Sequence, residues 1–209
     1  MIIAVIGAQG RTGKAFVKAA LAAGHTVRAG FRGERTLTEH PHLIPIQCES
    51  TNPTQVETLL KGSDALVSLI GHVSGSPADV QTRSISIVLS VMKKLGMKRV
   101  ISLTGTGVRF PDDNISLIDR FLNFGVAFVD PNRIKDGIHH VELLKNSSTD
   151  WTVIRVLKLE NTPEKPFILT PGGPGKIIVS REEAAAATLQ VLTEQSFIQQ
   201  APVISPVLK

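Results

Sequence analysis

The stretch Met1–Lys14, MIIAVIGAQGRTGK, limits the possible folds more than any other part of the chain. Ile2, Ile3, Ala4, Val5 and Ile6 form an unbroken apolar run. A strand needs such a run when both of its faces are covered, and such strands belong mostly to parallel sheets. Gly7, Gly10 and Gly13 follow at three-residue spacing. Gly7 permits a sharp turn, Gly10 lets backbone approach a ligand, and Gly13 lets a helix from about Thr12 to Ala23 pack on its own strand. The first turn of that helix carries free N–H groups and the positive end of the macrodipole, so the loop suits a dinucleotide pyrophosphate. The order is G-x-x-G-x-x-G, not G-x-G-x-x-G, and it lacks the G-K-[ST] ending of a P-loop, which disfavours a nucleoside triphosphatase. A ligand-free turn could hold the same glycines. Their position between a buried-type strand and an apolar helix favours the nucleotide.

The alternation then continues. His25 to Phe31 reads as a second strand, and the residues leaving it bear on the cofactor: an acid near this point bonds ribose hydroxyls, whereas an arginine accommodates a 2′-phosphate. Arg32 and Arg35 favour NADP, and Glu34 between them carries the opposite reading. Further strands are expected at Ile44 to Cys48, Asp64 to Ile70, Lys98 to Leu103 and Trp151 to Leu157, with a short one at Ile177 to Val179 and an edge strand in the tail Pro202 to Leu208. Helices are expected after a Thr51 or Asn52 cap, from Ala78 to Leu95, from Arg133 to Asn146 with Ile134, Ile138, Val141 and Leu144 inward, and from Arg181 to Leu192 behind a Ser180/Glu183 capping box. The pattern predicts an α/β chain: one three-layer, Rossmann-like domain over residues 1–209, with a mainly parallel, doubly wound sheet ordered about the first strand. Residues 108–131, with Phe110, Phe121, Phe124 and Phe128, read as a lid or small subdomain that packs its own core or walls a flat ring. The open Pro/Gly loops of residues 158–176 read as a substrate-side rim.

Two loops follow strand ends where open α/β sheets place ligands. In the first, His72 reads either as a ligand contact or as an exposed loop histidine. In the second, Thr104-Gly105-Thr106-Gly107 offers two hydroxyls that either face a reactive group or serve turn chemistry. His139 and Glu142 share a helix face, with His140 turned away, and no metal-ligand set accompanies them. The single Cys48 excludes an internal disulfide framework and fits a reducing compartment. No apolar run reaches membrane-spanning length, so the expectation is a cytoplasmic protein without a membrane partner. The net charge is +5, yet the basic residues are scattered and aromatics make up only 4%, which argues against nucleic acid. The chain contains no tyrosine.

Together IAVIGAQGRTG, VRAGFR, DALVSLIG and the late DWTVIRV resemble the atypical short-chain dehydrogenase/reductases, in particular the NmrA-like and biliverdin/flavin reductase B-like NAD(P)H-binding proteins. The resemblance covers nearly the whole chain. It implies a phosphate loop of Gly7, Gly10, Arg11, Thr12 and Gly13, a 2′-phosphate arginine at Arg32, and an adenine-side acid matched loosely by Glu49. It also implies that Ile70, Gly71, Leu103 and Thr104 face the cofactor. Thr104-Gly105-Thr106 stands in place of the family's serine-type motif, His139 in place of a common lysine with Glu142 retained, and Val156 in place of the proline after Arg155. Without tyrosine the Tyr-x-x-x-Lys acid/base route is closed. The resemblance therefore implies an NADPH-binding oxidoreductase that orients its cofactor against a small, planar or quinone-like acceptor, with the proton from solvent, Thr104, Thr106 or His139. It equally allows an NADP sensor or partner regulator that catalyses nothing.

Overall fold

The computed structural model describes residues 1–73 and 75–207. In β1 (Ile2–Ile6) every side chain after Ile2 is buried, and the strand pairs in parallel on both sides, with β2 (Thr26–Phe31) and β4 (Ala65–Ser68). β3 (Leu43–Gln47) extends the sheet beyond β2, while β5 (Arg99–Gly105) and β6 (Asp150–Val156) extend it beyond β4, all in parallel. The resulting order 3-2-1-4-5-6 is that of a doubly wound, Rossmann-like sheet built outward from its first strand.

Alternation along β1 assigns the two cores. Ile3 and Val5 face one layer, where α1 (Arg11–Ala22) brings Phe16, Val17 and Ala20 and α6 (Arg181–Thr193) brings Ala184, Ala187, Val191 and Leu192. Ala4 and Ile6 face the other, where α2 (Pro53–Leu60), α3 (Val80–Leu95) and α5 (Pro131–Lys145) contribute Leu59, Val88, Met92 and Leu144. Asn52 is the cap of α2, its side chain accepting from the Gln55 N–H, and Ser180 and Glu183 form the capping box of α6.

The sheet holds two more strands than the six main ones. β10 (Val203–Pro206) lies parallel to β6, with Val203 opposite Arg155, and antiparallel to β8 (Phe167–Thr170). The tail strand is therefore interior and β8 is the edge; Leu208, at the end of the expected tail strand, lies outside the described residues, as does Ser74 of the loop after β4. The stretch expected as an open rim also contains β7 (Lys158–Glu160), which pairs in parallel with β9 (Ile178–Ser180). Three- and four-residue strands flanked by Pro and Gly carry too few positions for alternation to register.

The segment expected as a lid contains α4 (Leu117–Val129), and it has no core of its own. Asp119 is its only buried residue, and Phe121, Phe124 and Phe128 face outward. Phe110 alone turns inward, its ring centroid 4.7 Å from the Arg155 guanidinium carbon. Arg155 is fully buried and grips both Asp113 carboxylate oxygens, at 2.6 and 2.7 Å. It also donates to the carbonyls of Val108, Pro171 and Ala201, so one guanidinium joins the segments on either side of β6.

On α5, Val141 and Leu144 face inward as expected, Ile134 is half-buried and Ile138 is exposed. The face shared by His139 and Glu142 is the solvent face; the buried histidine is His140, whose Nε2 lies 2.8 Å from Ser102 Oγ. Burial pushes the His140 pKa down to about 4 against an ordinary 6.5, opposed by the Gln81 backbone and the Asp136 charge. The imidazole is thus neutral in the fold. An unfolded chain takes up this proton below pH 6.5 and the native chain only near 4, so His140 favours the native state above 6.5 and loses that contribution as pH falls between the two values. The loss is at most about 1.4 kcal/mol per pH unit. Urea denaturation at pH 7 and pH 4.5 should show a smaller stability difference in His140→Asn than in the wild type.

Candidate functional site

The C-terminal ends of β1, β4, β5 and β6 open onto one cleft of about 440 Å³. At one end lies the turn from β1 into α1. Gly7 has a φ of +80°, and a Cβ there would sit 2.9 Å from the Leu69 carbonyl oxygen. A Cβ on Gly13 would collide with the Gly7 carbonyl oxygen and the Ala8 backbone. These two glycines shape the turn without lining the cleft, whereas Gly10, Arg11 and Thr12 do line it. Gly10 is the N-cap of α1 and makes no side-chain cap bond; the first helical bond runs from the Lys14 N–H to the Gly10 carbonyl at 2.8 Å. The N–H groups of Arg11, Thr12 and Gly13 therefore lack helical acceptors, as an anion site requires.

Arg181, across this end of the cleft, is absent from the sequence-derived site. It is buried at the first position of α6, with Nη1 2.6 Å from Asn161 Oδ1. Burial, and then the charge of Arg11, push its pKa below the ordinary arginine value. A cation at a helix N-terminus opposes the macrodipole, and here Glu182 and Glu183 in the same turn offset it; the position of Arg181 directly after the capping-box serine was legible in the sequence.

Arg32 and Glu49 come together at the outer rim, Nη1 to Oε2 3.5 Å, with the Arg32 side chain 75% exposed. Arg35 does not join them: it pairs with Glu39 at 2.9 Å. Gln9, from the phosphate loop, accepts from the Thr36 N–H at 2.6 Å and donates to the Glu34 carbonyl at 3.0 Å, which ties the loop after β2 to the turn after β1.

At the opposite end, Ile70, Gly71, Leu103 and Thr104 all line the cleft. Thr104 is backed by Gly137, where a Cβ would sit 2.8 Å from the threonine Oγ1. Thr106 does not line the cleft; it is buried, and its Oγ1 accepts from Asn123 Nδ2 at 3.1 Å. His139 is exposed on α5, away from the cleft, because the helix period turns His140 inward in its place.

His72 takes the position that His139 leaves vacant. It lines the cleft, and its Nε2 lies 2.8 Å from Asp136 Oδ2. Asp136 is buried and also accepts from the Gln81 and Thr82 N–H groups, both at 2.9 Å, and from Thr82 Oγ1 at 2.6 Å. The Gln81 side chain in turn donates to the carbonyls of Ile70 and Leu103, joining the ends of β4 and β5. A carboxylate held this way fixes one imidazole nitrogen, and with it the orientation of the His72 ring at the cleft wall. His72 was visible in the sequence as a loop histidine; Asp136, sixty-four residues away, was not. Among the described residues no cluster of His, Cys, Asp and Glu forms a metal site, and no helix is long and apolar enough to cross a membrane.

The two central glycines should separate site from scaffold. Gly10→Val should leave a folded protein with at most a modest loss of stability, since its φ of −63° suits any residue and only the Gly7 oxygen, at 3.1 Å, is close, and should abolish NAD(P)H binding by calorimetry. Gly13→Ala should instead lower stability by about 1–3 kcal/mol in urea denaturation, through overpacking.

No curated protein sequence matches the chain. Among solved structures, a short-chain dehydrogenase/reductase from Veillonella parvula superimposes with a TM-score of 0.83 at 17% identity, covering 98% of this chain and 93% of that one. A short-chain dehydrogenase/reductase from the same organism in complex with NADP gives 0.82 at 16%, over 98% and 94%. An oxidoreductase from Lactococcus lactis gives 0.81 at 14%, over 99% and 91%. At these identities the likeness is one of fold. The family model for NAD(P)H-binding proteins matches residues 7–195, from the first glycine of the phosphate loop to just beyond α6. The chain belongs to the NAD(P)H-binding family, in agreement with the resemblance of its motifs to the atypical short-chain dehydrogenase/reductases.

Proposed function

We propose that this protein is an NADPH-dependent reductase of a small, planar, quinone-like acceptor. The observation that carries the reading is the continuity of the cleft: unpaired helix N–H groups at one end share a single space with Thr104, His72 and an apolar wall at the other. Gly10, Arg11 and Thr12, faced by Arg181, are suited to a pyrophosphate, which would neutralise two guanidinium charges. Arg32 is suited to a 2′-phosphate. Its present partner, Glu49, is exposed, and such a pair is worth only about 0–1 kcal/mol, so a phosphate can displace it. Ile70, Gly71, Leu103 and Thr104 form the floor for the ring, and Val126 and Ile134 supply apolar surface across from it.

A bound nicotinamide dinucleotide supplies the hydride. The chain's own part is orientation, exclusion of water and one proton. His72 is placed to give that proton to the acceptor oxygen, and solvent restores it, so that acceptor, hydride and proton balance as a two-electron reduction. Asp136 holds the imidazole in position and does not itself transfer a proton. The NADP complex of the Veillonella protein is consistent with this cofactor. The absence of tyrosine supports a second reading, an NADP sensor that binds without turnover.

NADPH oxidation against quinones, flavins and aldehydes separates the two: turnover with quinones is expected, and tight binding with no turnover on any acceptor would establish the sensor. In the reductase, His72→Gln should lower kcat on the order of 100-fold while leaving the NADPH dissociation constant unchanged.

Wild type should prefer NADPH to NADH, and Arg32→Ala should weaken NADPH by roughly 1.5–3 kcal/mol while barely affecting NADH. A wild-type preference for NADH in the same titrations would mean that Glu34 and not Arg32 reads the ribose.

A further inference from the structure

Two observations on α4 have no account within the single chain. The first is its outer face. At 100° per residue, Phe124, Leu117, Phe128, Phe121, Ile118 and Val129 fall within one sector spanning less than half the circumference, and no charged residue falls among them. Phe121, Phe124 and Phe128 are 76%, 72% and 85% exposed. At roughly 150 Å² for each such phenylalanine and somewhat less for each aliphatic, the face offers on the order of 800 Å² of apolar surface. That exceeds the largest patch usual on a monomer, about 300–600 Å². It equals the share of about 800 Å² that each partner contributes to a standard interface.

The second is Gly125, which lies close to the midline of that sector. It occupies a helix interior, has no positive φ, and a Cβ there would meet nothing within 4 Å. Nothing among the described residues requires glycine at this position, and it costs about 1 kcal/mol of helix stability against alanine. A bare backbone in the middle of an apolar stripe has a known use: it lets a second helix cross at close range.

We propose that the outer face of α4 is the interface through which two copies of this chain pair, their α4 helices crossing at Gly125 about a two-fold axis. A stripe that runs the length of one helix with its small residue near the centre is self-complementary, as a two-fold contact must be. A lipid surface fits less well, since Arg120 is the only basic residue of α4, where an interfacial helix carries several Lys and Arg on its polar face. The pairing also bears on the cleft. Asn123 and Val126, on the opposite side of α4, line it, while within the chain the helix is held mainly through Asp119 to Arg109 (2.7 Å) and Asn123 to Thr106. A second copy would hold that wall in place from behind.

Sedimentation equilibrium should show the wild-type chain as a dimer at micromolar concentration. Phe124→Asp/Phe128→Asp should raise the dimer dissociation constant at least 100-fold with an unchanged circular dichroism spectrum. Gly125→Leu should raise it at least tenfold, although leucine favours the helix of each separate chain, so a loss of pairing there cannot come from unfolding. Gly125→Cys should cross-link into a covalent dimer under mild oxidation, with the buried Cys48 not taking part. A wild-type monomer at 100 µM overturns the proposal, as does a dimer indifferent to all three variants. So does a monomer that co-sediments with phosphatidylserine vesicles, which would assign the face to lipid.

Discussion

The buried carboxylate of Asp136 is the contact on which the His72 end of the cleft depends. A charge in that position is tolerable only when its lone pairs are filled, and four donors fill them: two backbone N–H groups and a hydroxyl from the start of α3, and the imidazole of His72. An acid on α5 thus caps α3, and through Gln81 the same cap reaches the carbonyl ends of β4 and β5. Two helices, two strands and the loop bearing His72 share one electrostatic anchor. Losing it would leave the first turn of α3 with unpaired donors as well as releasing His72.

The other end of the cleft is built on an imbalance. Two helices begin there, α1 and α6, and each presents an arginine beside its positive pole. The unpaired N–H groups that open α1 and the two guanidinium charges are suited to an anion, whereas the pole of α6 is already met by its capping box and by Glu182 and Glu183. The chain's overall surplus of five positive charges is a poor guide to this arrangement. What matters is the open start of α1 and the two arginines at that end of the cleft.

Most of the frame was legible in the sequence because long-range order there is carried by short-range pattern. Ile3 and Val5 alternate with Ala4 and Ile6, and that alternation alone assigns both layers. Gly7 and Gly13 announce a strand and a helix in contact, and the capping box at Ser180 marks the start of α6 within a residue. The reading was weaker where direction is set by tertiary packing. His139 and His140 are neighbours in the chain, and which of them faces inward depends on the phase of α5 against β5, where Ser102 meets His140 and Thr104 lies against Gly137. The phenylalanines of α4 read as a small core or as the wall of a ring site, yet nothing among the described residues covers them. Asp136 carries no local signal at all, since its partners lie more than fifty residues away.

The insertion of β10 between β6 and β8 sets a timetable for synthesis. β8 has no place in the sheet until β10 arrives, because the two meet only through that last strand. Until residues 200–206 have emerged from the ribosome, β6 is an open edge, and Arg155 lacks the Ala201 carbonyl that completes its set of acceptors. The first five strands can assemble as the chain emerges, but the sixth must wait with its backbone unpaired on one side. Strand-to-strand association is therefore most open to this chain in the interval before β10 takes its place beside β6.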